Sequence, residues 1–72
     1  MKSHKYELVI WWSDDDDAFV VDVPELPGCM AHGETISEAV ANAQAAIDFW
    51  LQVARELGRE IPKPSGHRFV PA

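Results

Sequence analysis

Residues 33 to 51 read GETISEAVANAQAAIDFWL, and their reading decides the fold. Thr35 and Glu38 stand at the spacing of a capping box: the threonine hydroxyl can accept a first-turn amide while the glutamate reaches back. From there Ile36, Val40, Ala43, Ile47, Trp50, Leu51, Ala54 and Leu57 recur at three- and four-residue steps. That period predicts one amphipathic helix with an apolar stripe turned to a sheet. Gly58 is placed to end it in a left-handed conformation. A helix from Ile36 to Leu57 would be roughly 33 Å long at the standard rise. Phe49 and Val53 fall off the stripe, beside Ala45 and Ala46. The helix thus carries more apolar surface than one sheet contact needs.

Upstream the period changes to two. In KYELVIWW, residues 5 to 12, Tyr6, Leu8, Ile10 and Trp12 share one face and Glu7, Val9 and Trp11 the other, which predicts a strand. AFVVDV, residues 18 to 23, predicts a second, with Phe19, Val21 and Val23 on one face. Between them lie Ser13 and the aspartates Asp14, Asp15, Asp16 and Asp17. Aspartate tolerates left-handed backbone and bonds its own downstream amides, so the quartet reads as a hairpin turn. Pro24 and Pro27 stop the second strand, and Pro27-Gly28 marks another turn. CMAHGE, residues 29 to 34, is a candidate third strand that Gly33 weakens. Beyond the helix, IPKPSGHRFVPA, residues 61 to 72, starts as a proline-bound connector whose HRFV is a candidate fourth strand.

The chain has 72 residues and no break in composition, which predicts one domain over residues 1–72. At 47% hydrophobic with three Trp and three Phe, it can build a core, but chains this short are marginal alone. Cys29 is the only cysteine, so no internal disulfide can staple the fold. A partner chain is the simplest substitute, and a homo-oligomer, most simply a dimer, is expected. Large apolar groups on both faces of the first strand add to that expectation. For Trp11 two coverings stand open, the chain's own tail or a partner. Phe49 and Val53 are expected to meet a partner. Trp11, Phe49 and Val53 are therefore the candidate partner-binding residues.

Twelve Asp and Glu against six Lys and Arg give a net charge of −6. A general phosphate footprint needs a basic face, so nucleic-acid binding is not expected. A basic protein partner is compatible with this charge. No apolar run reaches membrane-spanning length, and MKSHKYE lacks a signal peptide's apolar core. With one unpaired thiol, the cytoplasm is the expected compartment.

Catalytic chemistry finds little footing. Two-metal hydrolysis needs carboxylates converging from several elements, whereas Asp14 to Asp17 are consecutive. Asp22 on the second strand and Asp48 on the polar flank of the helix could converge with them, but nothing in the spacing demands it. The quartet also lacks the pattern of a calcium loop. His4, His32 and His67 show no paired-ligand spacing. Cys29 and His32, three apart on a strand, point to opposite faces, so Cys29 reads as a small buried group. No glycine-rich phosphate loop or nucleophile elbow is present. No catalytic residue, metal ligand or cofactor is expected, and the chain is not expected to be an enzyme.

The succession of strand, acidic turn, strand, VPELPGC and GETISEAVANAQAAI resembles the HicB-like family of bacterial antitoxins. The likeness runs from about Tyr6 to about Pro64. Its most specific parts are AFVVDVPELPGC, residues 18 to 29, and GETISEAVANAQAAIDFWL, residues 33 to 51. The resemblance implies an α+β domain: a three-stranded antiparallel meander, one long helix across it and a short further strand, a degenerate ribonuclease H-like fold without its catalytic carboxylates. It also implies a partner, a small basic messenger-RNA-cleaving toxin of double-stranded RNA-binding fold, whose catalytic site the antitoxin covers. Many members carry a C-terminal DNA-binding domain. This sequence holds no ribbon-helix-helix or helix-turn-helix module, so direct DNA binding is not expected. A solitary structural homo-oligomer and a metal-dependent nuclease are the alternatives.

Overall fold

The computed structural model describes residues 5–63. Strand β1 (Val9–Ser13) turns through the aspartates into β2 (Ala18–Asp22), and a second turn leads to β3 (Met30–Gly33). A single helix, α1 (Ile36–Glu56), follows among the described residues. The strands form an antiparallel meander in the order β1-β2-β3. This is the α+β arrangement expected from the sequence. The candidate fourth strand, HRFV, and the histidines His4 and His67 lie outside the described residues.

Both turns are built by their own side chains. Asp17 holds a left-handed backbone with φ 52°, a conformation aspartate tolerates better than most residues. The Ser13 hydroxyl donates to Asp16 Oδ2 at 2.9 Å, and the Asp16 amide donates back to Ser13 Oγ at 3.3 Å. Trp12 Nε1–H donates to Asp14 Oδ1 at 2.9 Å. The quartet is a turn, as expected. In the second turn, the Val23 and Cys29 backbones close the loop with a 3.0 Å hydrogen bond, and Leu26 within it is fully buried. Gly28 supplies the positive φ, 80°, that this reversal needs.

The helix begins as its capping signature predicts. The Glu38 amide donates to Thr35 Oγ1 at 3.0 Å, and the Glu38 carboxylate accepts the Glu34 amide at 2.8 Å. Glu38 thus reaches one residue further back than an ideal capping box requires. At the other end Leu57 is the C-cap and Gly58 is left-handed at φ 69°. The Gly58 amide donates to Arg55 O at 3.2 Å and the Arg59 amide to Ala54 O at 2.8 Å. This is a Schellman ending.

Which helix face is buried differs from the expectation at three positions. The buried row is Ala39, Ala43, Ile47, Leu51 and Ala54, whereas Ile36 and Leu57 at the two ends are exposed. Ala39, absent from the expected stripe, is completely buried. The cause is a close approach: a Cβ built on Gly33 would stand 2.4 Å from the Ala39 amide nitrogen. Only glycine at this position of β3 permits that contact. Gly33, which weakened the strand in sequence, is what lets the helix dock there.

The helix lies over β3 and β2. One cluster packs Val21, Ala31, Ala39 and Ala43 under its first half; the other packs Tyr6, Val23, Leu26, Cys29, Ile47 and Leu51 under its second. Leu8 touches both. Strand β1 starts later than expected, at Val9 rather than Lys5, although Tyr6 and Leu8 still face the core. Ile10 and Trp12 share the face of Tyr6 and Leu8 but are exposed, because the helix does not extend over their strand. Tyr6 spends its hydroxyl on the Pro62 carbonyl. Burial first, then the charge of Glu25, raises its pKa, with Arg55 opposing.

Gly33→Ala is expected to lower stability by about 1–3 kcal/mol, the usual cost of overpacking. In a domain this small, each kcal/mol corresponds to about 4–8 °C in Tm, so a thermal melt reads it directly. Thr35→Ala should cost less, about 1 kcal/mol from the lost cap. An unshifted melt for Gly33→Ala would mean the helix does not rest on β3 as described.

Candidate functional site

Strand register defines what the open sheet face presents. Trp11 stands opposite Val20, and Val20 opposite His32; in the next row Val9 faces Asp22 and Asp22 faces Met30. These side chains point away from the helix, since their neighbours Ile10, Val21 and Ala31 form the row beneath it. Val20 is buried on this open face at 2% exposure, flanked by Trp11 and His32. Sequence reading assigned no inward partner to Val20, and only the three-strand register reveals its cover.

On β1, four successive large side chains stay accessible: Val9, Ile10, Trp11 and Trp12 are 42%, 36%, 43% and 45% exposed. Trp12 leans its ring edge against Phe19, with centroids 5.0 Å apart and planes at 76°. Such T-shaped contacts are favourable beyond simple burial, and this one fixes the Trp12 ring beside the turn.

The acidic residues collect at one end. The hairpin tip carries Asp14 to Asp17, and Gly33, paired with Phe19 near that tip, leads directly into Glu34 and Glu38. All six of these residues are exposed. The imidazole beside them is that of His32, whose Nε2 lies 3.9 Å from Asp16 Oδ2, with both side chains about half exposed at 55% and 52%. That distance exceeds a hydrogen bond, and an ion pair so solvated contributes little. Among the described residues, no three His, Cys, Asp or Glu side chains come together as a metal-binding group. Asp22 sits on the open sheet face and Asp48 on the exposed side of α1. Neither joins the quartet.

The opposite edge of the sheet, where β3 meets the second half of α1, holds a groove of about 310 Å³. Phe49, Trp50, Val53 and Met30 line it, with Arg59 at its rim. The Arg59 guanidinium lies 5.7 Å from the centre of the Trp50 ring, and Trp50 Nε1–H donates to Pro27 O at 3.0 Å. Phe49, 68% exposed, projects beside this groove. Arg59 was not foreseen from sequence; the reversal at Gly58 brings it back onto the helix. Cys29 lies at the groove floor but is buried. Burial first, and the charge of Asp22 second, pushes its thiol pKa up. The thiolate is what attacks or ligates, and this surrounding disfavours it.

Of the three candidate contact residues, Phe49 and Val53 are thus neighbours on one groove. Trp11 stands on the other edge strand, beside the acidic end. Both surfaces expose aromatics, the groove beside an arginine and β1 beside a pole of carboxylates.

Similar proteins place this surface in context. A protein of Haemophilus phage HP1, encoded in its rep-hol intergenic region, is 46% identical over 48 residues; the match covers 67% of this chain but 36% of the phage protein. A UPF0150 protein of Thermoplasma acidophilum is 37% identical over 66 residues, covering 92% of this chain and 94% of that one. Among solved structures, TTHA0281 from Thermus thermophilus superposes with a TM-score of 0.72 at 27% identity, covering 90% of this chain and 82% of that one. No helix among the described residues is long and apolar enough to cross a membrane. The family model for the HicB-like antitoxins of bacterial toxin–antitoxin systems matches residues 6–68, and with a meander-and-helix fold that carries the family's turn and helix start, this chain belongs to that family.

Proposed function

We propose that this chain neutralises a small basic toxin that cleaves messenger RNA, by covering the toxin's active site. Membership of the antitoxin family carries the reading. The acidic end supports it. Six exposed carboxylates stand at one pole of a chain whose net charge is −6, and such a field speeds encounter with a basic partner while repelling competing RNA. Trp11 borders this pole on the open sheet face and would supply the apolar part of the contact. Phe49 and Val53 form a second candidate surface, on the groove at the far edge.

Masking requires no bond-making chemistry by the antitoxin. A basic ribonuclease holds its substrate through cationic groups around the catalytic residue. Carboxylates laid over those groups, with an aromatic side chain excluding water beside them, occupy the space the RNA needs. Affinity would come from the buried aromatic, and rate from the charge. The solitary homo-oligomer remains the second reading, favoured by the exposed apolar strand β1. Under the nuclease reading, the chain alone would cleave RNA with magnesium or manganese.

The test starts from the small basic protein captured on the tagged chain, assayed for RNA cleavage with and without the chain added back. Inhibition is expected to be stoichiometric. Asp15→Asn with Asp17→Asn keeps a turn-compatible residue at each position; it should slow association several-fold at low salt and flatten the salt dependence. Trp11→Ala should mainly speed dissociation, by about tenfold for a contact worth ~1.4 kcal/mol. If Trp11→Ala leaves inhibition intact and Phe49→Ala with Val53→Ala abolishes it, the contact lies on the groove. A chain that silences no captured ribonuclease, or that cleaves RNA itself, would refute the antitoxin reading.

A further inference from the structure

We infer that the groove between β3 and the second half of α1 is the seam of a symmetric dimer, in which the β3 edges and α1 flanks of two copies lie antiparallel to each other. The strand supplies the first observation. The Val23 amide bonds the Cys29 carbonyl, so by the alternation of an antiparallel ladder Met30 and His32 turn their backbone groups away from β2. Asn42 Nδ2 donates to the His32 carbonyl at 2.7 Å and closes that end of the edge. Trp50 closes the other through its bond to the Pro27 carbonyl. Between these closures the Met30 N–H and C=O point out of the sheet, and Met30 lines the groove.

The helix supplies the second. Asn42, Ala46, Phe49 and Val53 follow one another at steps of four, three and four, which sets them on one flank. Asn42 marks it as the flank that overhangs the β3 edge, and Phe49 is its largest exposed side chain. The outgoing chain leads away from here. Ile61 packs against the cluster that contains Tyr6, and the Pro62 carbonyl accepts the Tyr6 hydroxyl, so the described chain ends on the β1 side of the sheet. Trp11, given above to the toxin, stands on that side as well.

A second copy fits this edge in size and in charge. Ala39 stands against Gly33, Ala43 packs in one cluster with Ala31, and Ile47 in the other with Cys29. The helix thus runs back along β3, and Met30 lies level with Ala45 and Ala46. Antiparallel pairing of Met30 with Met30 of the second copy sets the two-fold axis there and makes one continuous sheet from three strands of each copy. Each Phe49 then comes opposite Asn42 of the other copy, with Ala45 and Ala46 beside it, so a large side chain meets small ones. Charge selects the same direction. Glu34 and Glu38 lie at one end of this flank, beside the aspartate turn, and Arg59 lines the groove towards the other. Glu56, which accepts from Gln52 Nε2 at 3.4 Å, stands farther out at that end. Antiparallel pairing carries Arg59 of each copy towards Glu38 of the other and sends the acidic poles apart. Parallel pairing would stack those poles in two chains that each carry −6.

Sedimentation of the purified chain alone at micromolar concentration tests the seam without any toxin, so its outcome is independent of the antitoxin reading. The wild type should run at twice the chain mass. Phe49→Glu should halve that mass while keeping the helical far-ultraviolet signal, since Phe49 packs in neither core cluster. Arg59→Glu, which sets like charges against each other across the seam, should weaken the dimer by about tenfold or more. Trp11→Ala, on the opposite edge strand, should leave the dimer intact. A wild-type chain that sediments as a monomer overturns the proposal. So does a dimer that survives Phe49→Glu or dissociates with Trp11→Ala, and an unchanged dimer in Arg59→Glu overturns the antiparallel arrangement.

Discussion

The contact on which the rest depends is the one between Gly33 of β3 and Ala39 of α1. A missing Cβ on the strand lets its backbone approach that of the helix more closely than any other residue at 33 would permit. Ala43 continues the small face, and beyond it Ile47 and Leu51 fill the widening space above Val23, Leu26 and Cys29. The helix is therefore anchored at one edge of a three-stranded sheet. Among the described residues one helix lies over the sheet, and anchoring it at β3 leaves Ile10 and Trp12 of β1 outside its cover. The exposure of Ile10 and Trp12 on that side follows from a glycine on the far strand, whereas Val9 and Trp11 point to the open face.

That asymmetry organises the surface. The uncovered strand ends in the acidic turn, so the most apolar and the most charged parts of the molecule adjoin. Trp12 links them physically, with its indole N–H on Asp14 and its ring on Phe19. On the opposite side, the helix leans over β3 and its second half opens a groove, with Arg59 folded back onto Trp50. A small antitoxin-family domain thereby presents two apolar surfaces on opposite edges of one sheet.

Much was legible in sequence because it is local. The capping residues Thr35 and Glu38, the stop at Gly58, the turns at Asp14–Asp17 and Pro27-Gly28, and the alternation through Phe19, Val21 and Val23 each depend on near neighbours. Each one formed. Where the reading went astray, the cause was long range. Ile36 and Leu57 have the right period but overhang the ends of the sheet, and Ala39 is buried by a glycine on another element. Ile10 and Trp12 alternate correctly with Tyr6 and Leu8, yet period two reveals which side chains share a face and not whether anything lies above them.

The sequence by itself thus determined the order of elements, their boundaries within a few residues, the family, and the burial of Cys29, since these follow from periodicity, turn chemistry and motif. Only the tertiary structure decided which apolar residues are spent on the core and which stay exposed. Apolar residues look alike in sequence whichever way they are used. Their fate rests on where one helix settles across three strands, and here a missing methyl group at Gly33 settles it.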